Sequence, residues 1–317
     1  MKKGGILLAA TGWDSALWPR MFSDAAPGRQ VFVDPDGRTD DNIEYAIVWK
    51  HPAGSLSSLK NLRVIFSLGA GVDHVFRDPQ VPNVPIVRVV SQDLTNRMSE
   101  YVVWQVLDHH RLGPKYRQQQ REKVWLEDRS QPAAKDVTVG MLGLGVLGGD
   151  AALKLKALGF NVTGWSRSPH TIEGIRTFHG AEQMPEFLAG VDMLVCLLPL
   201  TPATADILAM PLFEKMTKRS PLGAPVLINA GRGGLQNEAD ILTALDAGIL
   251  SAASLDVFSQ EPLPANSPFW SHPKVTLTPH AAAASDPFAL VKPIVDQMDA
   301  FDRGEALKNL VDRKHQY

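Results

Sequence analysis

An α/β fold with parallel sheets, shared between two domains, follows from three observations. The chain has 317 residues, about twice the ~150 that one domain commonly takes. Short apolar runs alternate with longer amphipathic or mixed segments along its length. Most of those runs are continuous rather than alternating in and out, as strands buried on both faces of a parallel sheet require.

Taken in order, strands are expected at residues 5–9, 30–33, 45–49, 63–67 and 86–90. A second series follows at 137–142, 161–164, 192–197, 225–229, 253–256 and 274–277. The longest helical segment spans roughly 96–121, with no internal glycine until Gly113. Residues 118–136 are charged and contain tryptophan but little apolar periodicity, so they read as a surface connection. One domain boundary falls near residue 100. A second crossing lies just after His280, where residues 281–284 lead into a last helix at 287–304. One domain is then 1–99 completed by 284–317, and the other is 100–283.

Composition excludes several classes. Lys plus Arg number 32 against 34 Asp plus Glu, a net charge of −2, which argues against a nucleic-acid binder. A single cysteine, Cys196, rules out a disulfide framework or a cysteine-rich metal site. It sits in an apolar run and reads as a buried, inert thiol. His109 and His110 are adjacent and do not share a helix face, so no metal is expected. No apolar stretch approaches the ~18–20 residues that span a bilayer. The first ten residues faintly resemble a signal peptide. The apolar part is short and Trp13-Asp14 follow at once, so a first strand is the reading. A cytoplasmic protein, with no membrane or nucleic-acid partner, is the expectation.

Gly143-Leu144-Gly145-Val146-Leu147-Gly148 fits G-x-G-x-x-G between a strand and a helix-prone segment at 150–158. In that context the first glycine makes a tight turn. The second lets the backbone approach a pyrophosphate, and the third allows close helix–strand packing. The following helix start offers unpaired N–H groups to phosphates. A site for NAD usually has an acid about 20 residues on. Here the next strand ends in Trp165-Ser166-Arg167-Ser168, with no carboxylate until Glu173. A guanidinium between two hydroxyls suits a 2′-phosphate, so NADP(H) is preferred and NAD(H) is the second candidate.

Three later strand ends carry reactive side chains: Arg232 in Asn229-Ala230-Gly231-Arg232-Gly233, Glu261 after Leu255-Asp256-Val257-Phe258, and His280 after Thr278-Pro279. Taken singly, each has a bland structural explanation. Together they suffice to reduce a 2-keto acid. His280 donates the proton that the developing alkoxide needs. Glu261 orients the ring and stabilises charge on it. Arg232 holds the substrate carboxylate and polarises the carbonyl.

This ordered series resembles the D-isomer-specific 2-hydroxyacid dehydrogenase family across essentially the whole chain, most specifically in 137–283. Val48-Trp49 with His51-Pro52, the 165–168 turn, and Val311-Asp312-Arg313 with Tyr317 look most like its glyoxylate/hydroxypyruvate reductase A group. The resemblance implies two Rossmann-like or flavodoxin-like domains, with the active site in the cleft between them. Residues 1–99 with 284–317 would form the substrate domain and 100–283 the dinucleotide-binding domain. It implies that Arg232, Glu261 and His280 are the catalytic residues. It also implies that Leu68-Gly69-Ala70-Gly71 bind the substrate carboxylate through backbone N–H groups, a role that the glycines permit. Leu198, Pro199 and Ala230 would line the cofactor and Asp256 would meet the nicotinamide amide. Trp49 is a substrate-pocket candidate, although a core role fits it as well. Met98 stands where the family usually has a smaller residue. A homodimer through the dinucleotide-binding domain is implied too. The alternatives are a relative acting on a larger 2-hydroxy acid and a dinucleotide-binding corepressor-like module without turnover.

Overall fold

The computed structural model describes residues 3–12, 16–33, 41–284 and 286–317; Trp13 and Asp14 lie outside them. In chain order the elements begin β1 (Gly5–Ala10), α1 (Leu17–Ala25), β2 (Val31–Val33), β3 (Ile43–Trp49), β4 (Val64–Ser67), α2 (Asp73–Phe76), β5 (Ile86–Val87), α3 (Gln92–His110) and α4 (Gly113–Glu122). They continue with β6 (Thr138–Leu142), α5 (Val146–Ala157), β7 (Asn161–Ser166), β8 (Arg176–His179), α6 (Gly180–Ala189), β9 (Met193–Cys196) and α7 (Met210–Phe213). The last are β10 (Val226–Asn229), α8 (Glu238–Asp246), β11 (Ala252–Leu255), β12 (Val275–Leu277) and α9 (Pro287–Asp302). The chain divides into two units, Met1–Leu94 with Ser285–Tyr317, and Thr95–Ala284.

The first unit holds a sheet in the order β2-β1-β3-β4-β5, parallel throughout. That is the flavodoxin-type order. Its last strand is shorter than the apolar run 86–90. After Val87 the backbone pairs instead with the C-terminal segment, where Arg88 N–H donates to Asn309 O at 3.1 Å and Val311 N–H to Ile86 O at 2.8 Å. α9 is tied to the sheet by charge. The fully buried Arg29 side chain donates to Asp299 at 2.7 Å and Asp302 at 2.6 Å. Tyr45 Oη and Arg63 also donate to Asp302.

The second unit holds a sheet in the order β12-β11-β10-β9-β6-β7-β8, again all parallel. Read from β8 it is the doubly wound 3-2-1-4-5-6 order with one strand added. Successive strand residues feed opposite apolar clusters. Leu142, Leu194, Cys196, Leu227 and Leu255 join one, while Met141, Met193, Val195 and Ile228 join the other. Both faces are therefore covered, which is why these strands read as unbroken apolar runs. Cys196 lies fully buried in the first cluster, and burial pushes its thiol up to about 12.

Two local expectations are corrected. The helix expected over 96–121 is two helices. Leu112 adopts a left-handed φ of 60° and Pro114 stands in the first turn of α4, where its missing N–H costs nothing; inside one continuous helix it would break the ladder. The expected 118–136 connection is accordingly helical through Glu122. The strand β8 was not expected, because Arg-Thr-Phe-His carries one apolar side chain. An edge strand paired only with β7 buries just that one, Phe178.

Candidate active site

Every reactive segment of the second unit follows the carboxyl end of a strand, and because the sheet is parallel these ends share one edge. The glycine loop follows β6. Gly143 has φ +111°, open to glycine and costly for other residues. A Cβ on Gly148 would lie 1.9 Å from Gly143 O, so the third glycine is required by packing. A Cβ on Gly145 would meet nothing within 4 Å. Among the described residues nothing demands that glycine; its smoothness faces open space, as a cradle for a phosphate would. α5 starts there, and the N–H groups of Val146, Leu147 and Gly148 belong to its unpaired first turn. The loop therefore fits a dinucleotide pyrophosphate.

β7 ends at Ser166, whose hydroxyl donates to Ser168 O at 2.8 Å. Arg167 and Ser168 are exposed. Leu198 and Ala230, behind β9 and β10, are buried beside half-buried Pro199. Met98 packs in the apolar cluster that also holds Tyr101, Val102, Ala230 and Ala282.

The Arg232 turn is held by two buried amides. Asn229 donates to Arg232 O at 3.2 Å and to Gln236 Oε1 at 2.8 Å, and accepts from Gly231 N–H at 3.0 Å. Gln236 donates onward to Val257 O at 3.0 Å, tying this turn to the segment that follows β11. A Cβ on Gly233 would strike Phe258 backbone at 2.0 Å, so the two segments touch. Arg232 itself is half-buried, with Nη1 donating to Gly231 O at 2.8 Å.

Glu261 and His280 meet directly. His280 Nδ1 lies 2.8 Å from Glu261 Oε2, while Glu261 Oε1 accepts from Phe258 N–H at 3.2 Å. A carboxylate facing Nδ1 calls for the proton there, leaving Nε2 as the outward nitrogen. The His280 side chain is 32% exposed, so the ring is both oriented and accessible. Its backbone is left-handed at φ +53°, an arrangement the chain must enforce. Asp256, 1% exposed, does so: Oδ1 accepts from Thr278 Oγ1 at 2.6 Å and Ala281 N–H at 2.9 Å, and Oδ2 from Ala282 N–H at 3.1 Å. Tyr101 Oη lies 2.9 Å from Thr278 Oγ1, backing this turn from α3. Tyr101 and Gln236 were not anticipated. Each has other polar residues beside it, Ser99 and Glu100 before Tyr101, Asn237 and Glu238 after Gln236, and no spacing marks it out from them.

In the first unit, Trp49 ends β3 and its ring covers Gly69. A Cβ there would lie 2.2 Å from Cζ3 of the indole. Leu68 is buried, while Gly69, Ala70 and Gly71 are half-buried. His109 is buried with Nε2 2.8 Å from Ser254 Oγ, and burial lowers it to about 4, leaving it neutral. Among the described residues no group of three His, Cys, Asp or Glu side chains is placed to hold a metal ion. None of their helices is long and apolar enough to cross a membrane.

Residues 103–282 match the family model described as D-isomer specific 2-hydroxyacid dehydrogenase, NAD binding domain. A glyoxylate/hydroxypyruvate reductase A of Yersinia enterocolitica is 41% identical over 276 residues, covering 85% of this chain and 86% of the relative. This chain belongs to the D-isomer specific 2-hydroxyacid dehydrogenase family. As a family member it is an oxidoreductase. A crystal structure of an NADPH-dependent glyoxylate/hydroxypyruvate reductase from Sinorhizobium meliloti, in complex with NADP and sulfate, is 47% identical. It superposes with a TM-score of 0.93 over 99% of this chain and all of that one. A probable 2-hydroxyacid dehydrogenase from Rhizobium etli, in complex with NADP, HEPES and L(+)-tartaric acid, is 44% identical with the same TM-score and coverage.

Proposed function

We propose that this protein reduces small 2-keto acids with NADPH, glyoxylate and hydroxypyruvate being the first candidates. The observation that carries the reading is the His280–Glu261 pair, 2.8 Å apart on the strand-end edge that also bears the glycine loop. NADPH supplies the hydride when bound. His280 gives its proton to the carbonyl oxygen as that oxygen gains charge, so the keto acid leaves as the 2-hydroxy acid. Glu261 keeps the imidazole facing outward and offsets its charge. Arg232 holds the substrate carboxylate and draws electrons from the carbonyl.

The second unit takes the dinucleotide. Gly143, Gly145, Val146, Leu147 and Gly148 receive the pyrophosphate, and Ser166, Arg167 and Ser168 the 2′-phosphate. Leu198, Pro199, Ala230 and Asp256 flank the nicotinamide. The first unit takes the acid through Trp49 and Leu68-Gly69-Ala70-Gly71. The test is oxidation of NADPH and NADH, followed at 340 nm with glyoxylate, hydroxypyruvate, pyruvate and a bulky 2-keto acid. Turnover of none of them would overturn the reading. Arg167→Ala is expected to raise KM for NADPH by about tenfold or more and leave that for NADH alone, since only the former loses a charge-assisted hydrogen bond.

A homodimer through the dinucleotide-binding unit goes with this reading. Val124, Trp125 and Leu126, just past α4, are exposed to 44%, 102% and 63%, three consecutive apolar side chains with no core to serve. Trp125→Ser is expected to convert a dimer to a monomer in light scattering. A wild type that is already monomeric would refute the pairing.

A further inference from the structure

The substrate loop of the first unit is organised by two buried side chains whose role nothing above explains. Ser67 ends β4 and is fully buried; His74 lies in α2 and is 5% exposed. Lys50 N–H donates to His74 Nδ1 at 3.2 Å. An accepting Nδ1 is unprotonated, so the neutral ring carries its proton on Nε2. That nitrogen lies 3.0 Å from Ser67 Oγ and therefore donates to it. Gly69 N–H donates to the same oxygen at 3.2 Å, filling its second lone pair. The serine's own proton then has Gly69 O at 3.1 Å as its nearest acceptor. Gly69 O also accepts from Val89 N–H at 3.3 Å.

These hydrogen bonds divide the loop. Leu68 N–H is spent on Val48 O at 3.0 Å, and Gly69 N–H on Ser67. Among the described residues no acceptor meets the N–H of Ala70 or Gly71. The two amides left over are adjacent, as a carboxylate's two oxygens require. The Trp49 ring lies over Gly69 and packs tilted against His74, with centroids 4.8 Å and planes 56° apart, so His74 also braces the wall beside them.

We propose that Ser67 and His74 are positioning residues. They turn Gly69 inward and thereby leave the Ala70 and Gly71 amides as the donors that grip the substrate carboxylate. This rests on the reading of loop 68–71 as the acid-binding segment. Ser67→Ala is expected to raise KM for glyoxylate by about tenfold, with kcat and KM for NADPH within about twofold of wild type. His74→Leu should show the same split, and His74→Gln, whose amide keeps a donor, should recover part of it. An unchanged KM for glyoxylate, or equal losses for acid and NADPH, would overturn the proposal.

A readout that needs no turnover keeps the two readings apart. The Gly69 amide should exchange with solvent about tenfold faster in Ser67→Ala, or in His74→Leu if the serine variant does not fold. Titrated oxamate, an unreactive carboxylate analogue, should shift the Ala70 and Gly71 amide resonances of the wild type more than that of Gly69. If no 2-keto acid is reduced, the function reading falls. The positioning role is then judged on exchange, and a Gly69 amide equally fast in both proteins overturns it.

Discussion

Replacing His280 with asparagine is expected to lower kcat for 2-keto acid reduction by about 10²–10⁴-fold, the range lost when a positioned general acid is removed. Asparagine is the better substitute because residue 280 sits at φ +53°, and asparagine accepts the left-handed region more readily than alanine does. The backbone hold from Asp256 on the 280–282 turn should survive, since it acts on N–H groups and not on the imidazole. NADPH affinity, measured by fluorescence titration, should therefore stay within about twofold while turnover collapses. Glu261→Gln gives a graded companion. Glutamine can still accept from Nδ1 but carries no charge, so its loss should be smaller than that of His280→Asn. Full activity in His280→Asn would show that His280 is not the proton donor.

Arg29→Ala should destabilise the first unit by about 3 kcal/mol, the low end of the range for breaking a buried ion pair. Arg29 is fully buried and bridges two carboxylates of α9, which are themselves partly exposed and have further partners in Lys3, Arg63 and Tyr45. That exposure is the reason for the low end. The sign with pH follows from the carboxylates. Burial raises Asp299 and Asp302, but hydrogen bonds outweigh it, from Arg29 and Lys3 in the first case and from Tyr45, Arg29 and Arg63 in the second. Both are held below the ordinary carboxylate value. Their contribution is complete above the unfolded value of about 3.9 and is lost as pH falls through the folded values. The gap between wild type and Arg29→Ala should thus be widest near neutrality and narrow below about pH 4. Hydrogen exchange in β1, β3 and α9 reads it locally, which suits a chain of two units that need not unfold together. An equal gap at pH 7 and pH 3.5 would discard the electrostatic explanation.

Much of the fold was legible because parallel strands covered on both faces leave a simple trace: unbroken apolar runs bounded by turns. β6, β9 and β10 are of that kind, and each begins or ends within one residue of its expected limits. β8 left no such trace, since an edge strand buries only Phe178. The break between α3 and α4 was signalled by Gly113-Pro114, whose consequence shows only in the left-handed Leu112. The candidate site residues stood out in the sequence for a related reason. Arg232, Glu261 and His280 each follow a strand end, and glycine spacing marks the loop after β6.

Composition and local pattern were thus enough for the α/β class, the glycine loop, the absence of an acid after β7, and the Arg, Glu and His candidates. These depend on neighbours in the chain. The tertiary structure alone decided what holds them. Tyr101 reaches Thr278 across 177 positions, Arg29 reaches Asp302 across 273, and Gln236 reaches Val257 across 21. Such partners obey no periodicity. A hydrogen bond needs two groups about 3 Å apart in space, and only the folded backbone brings distant residues that close.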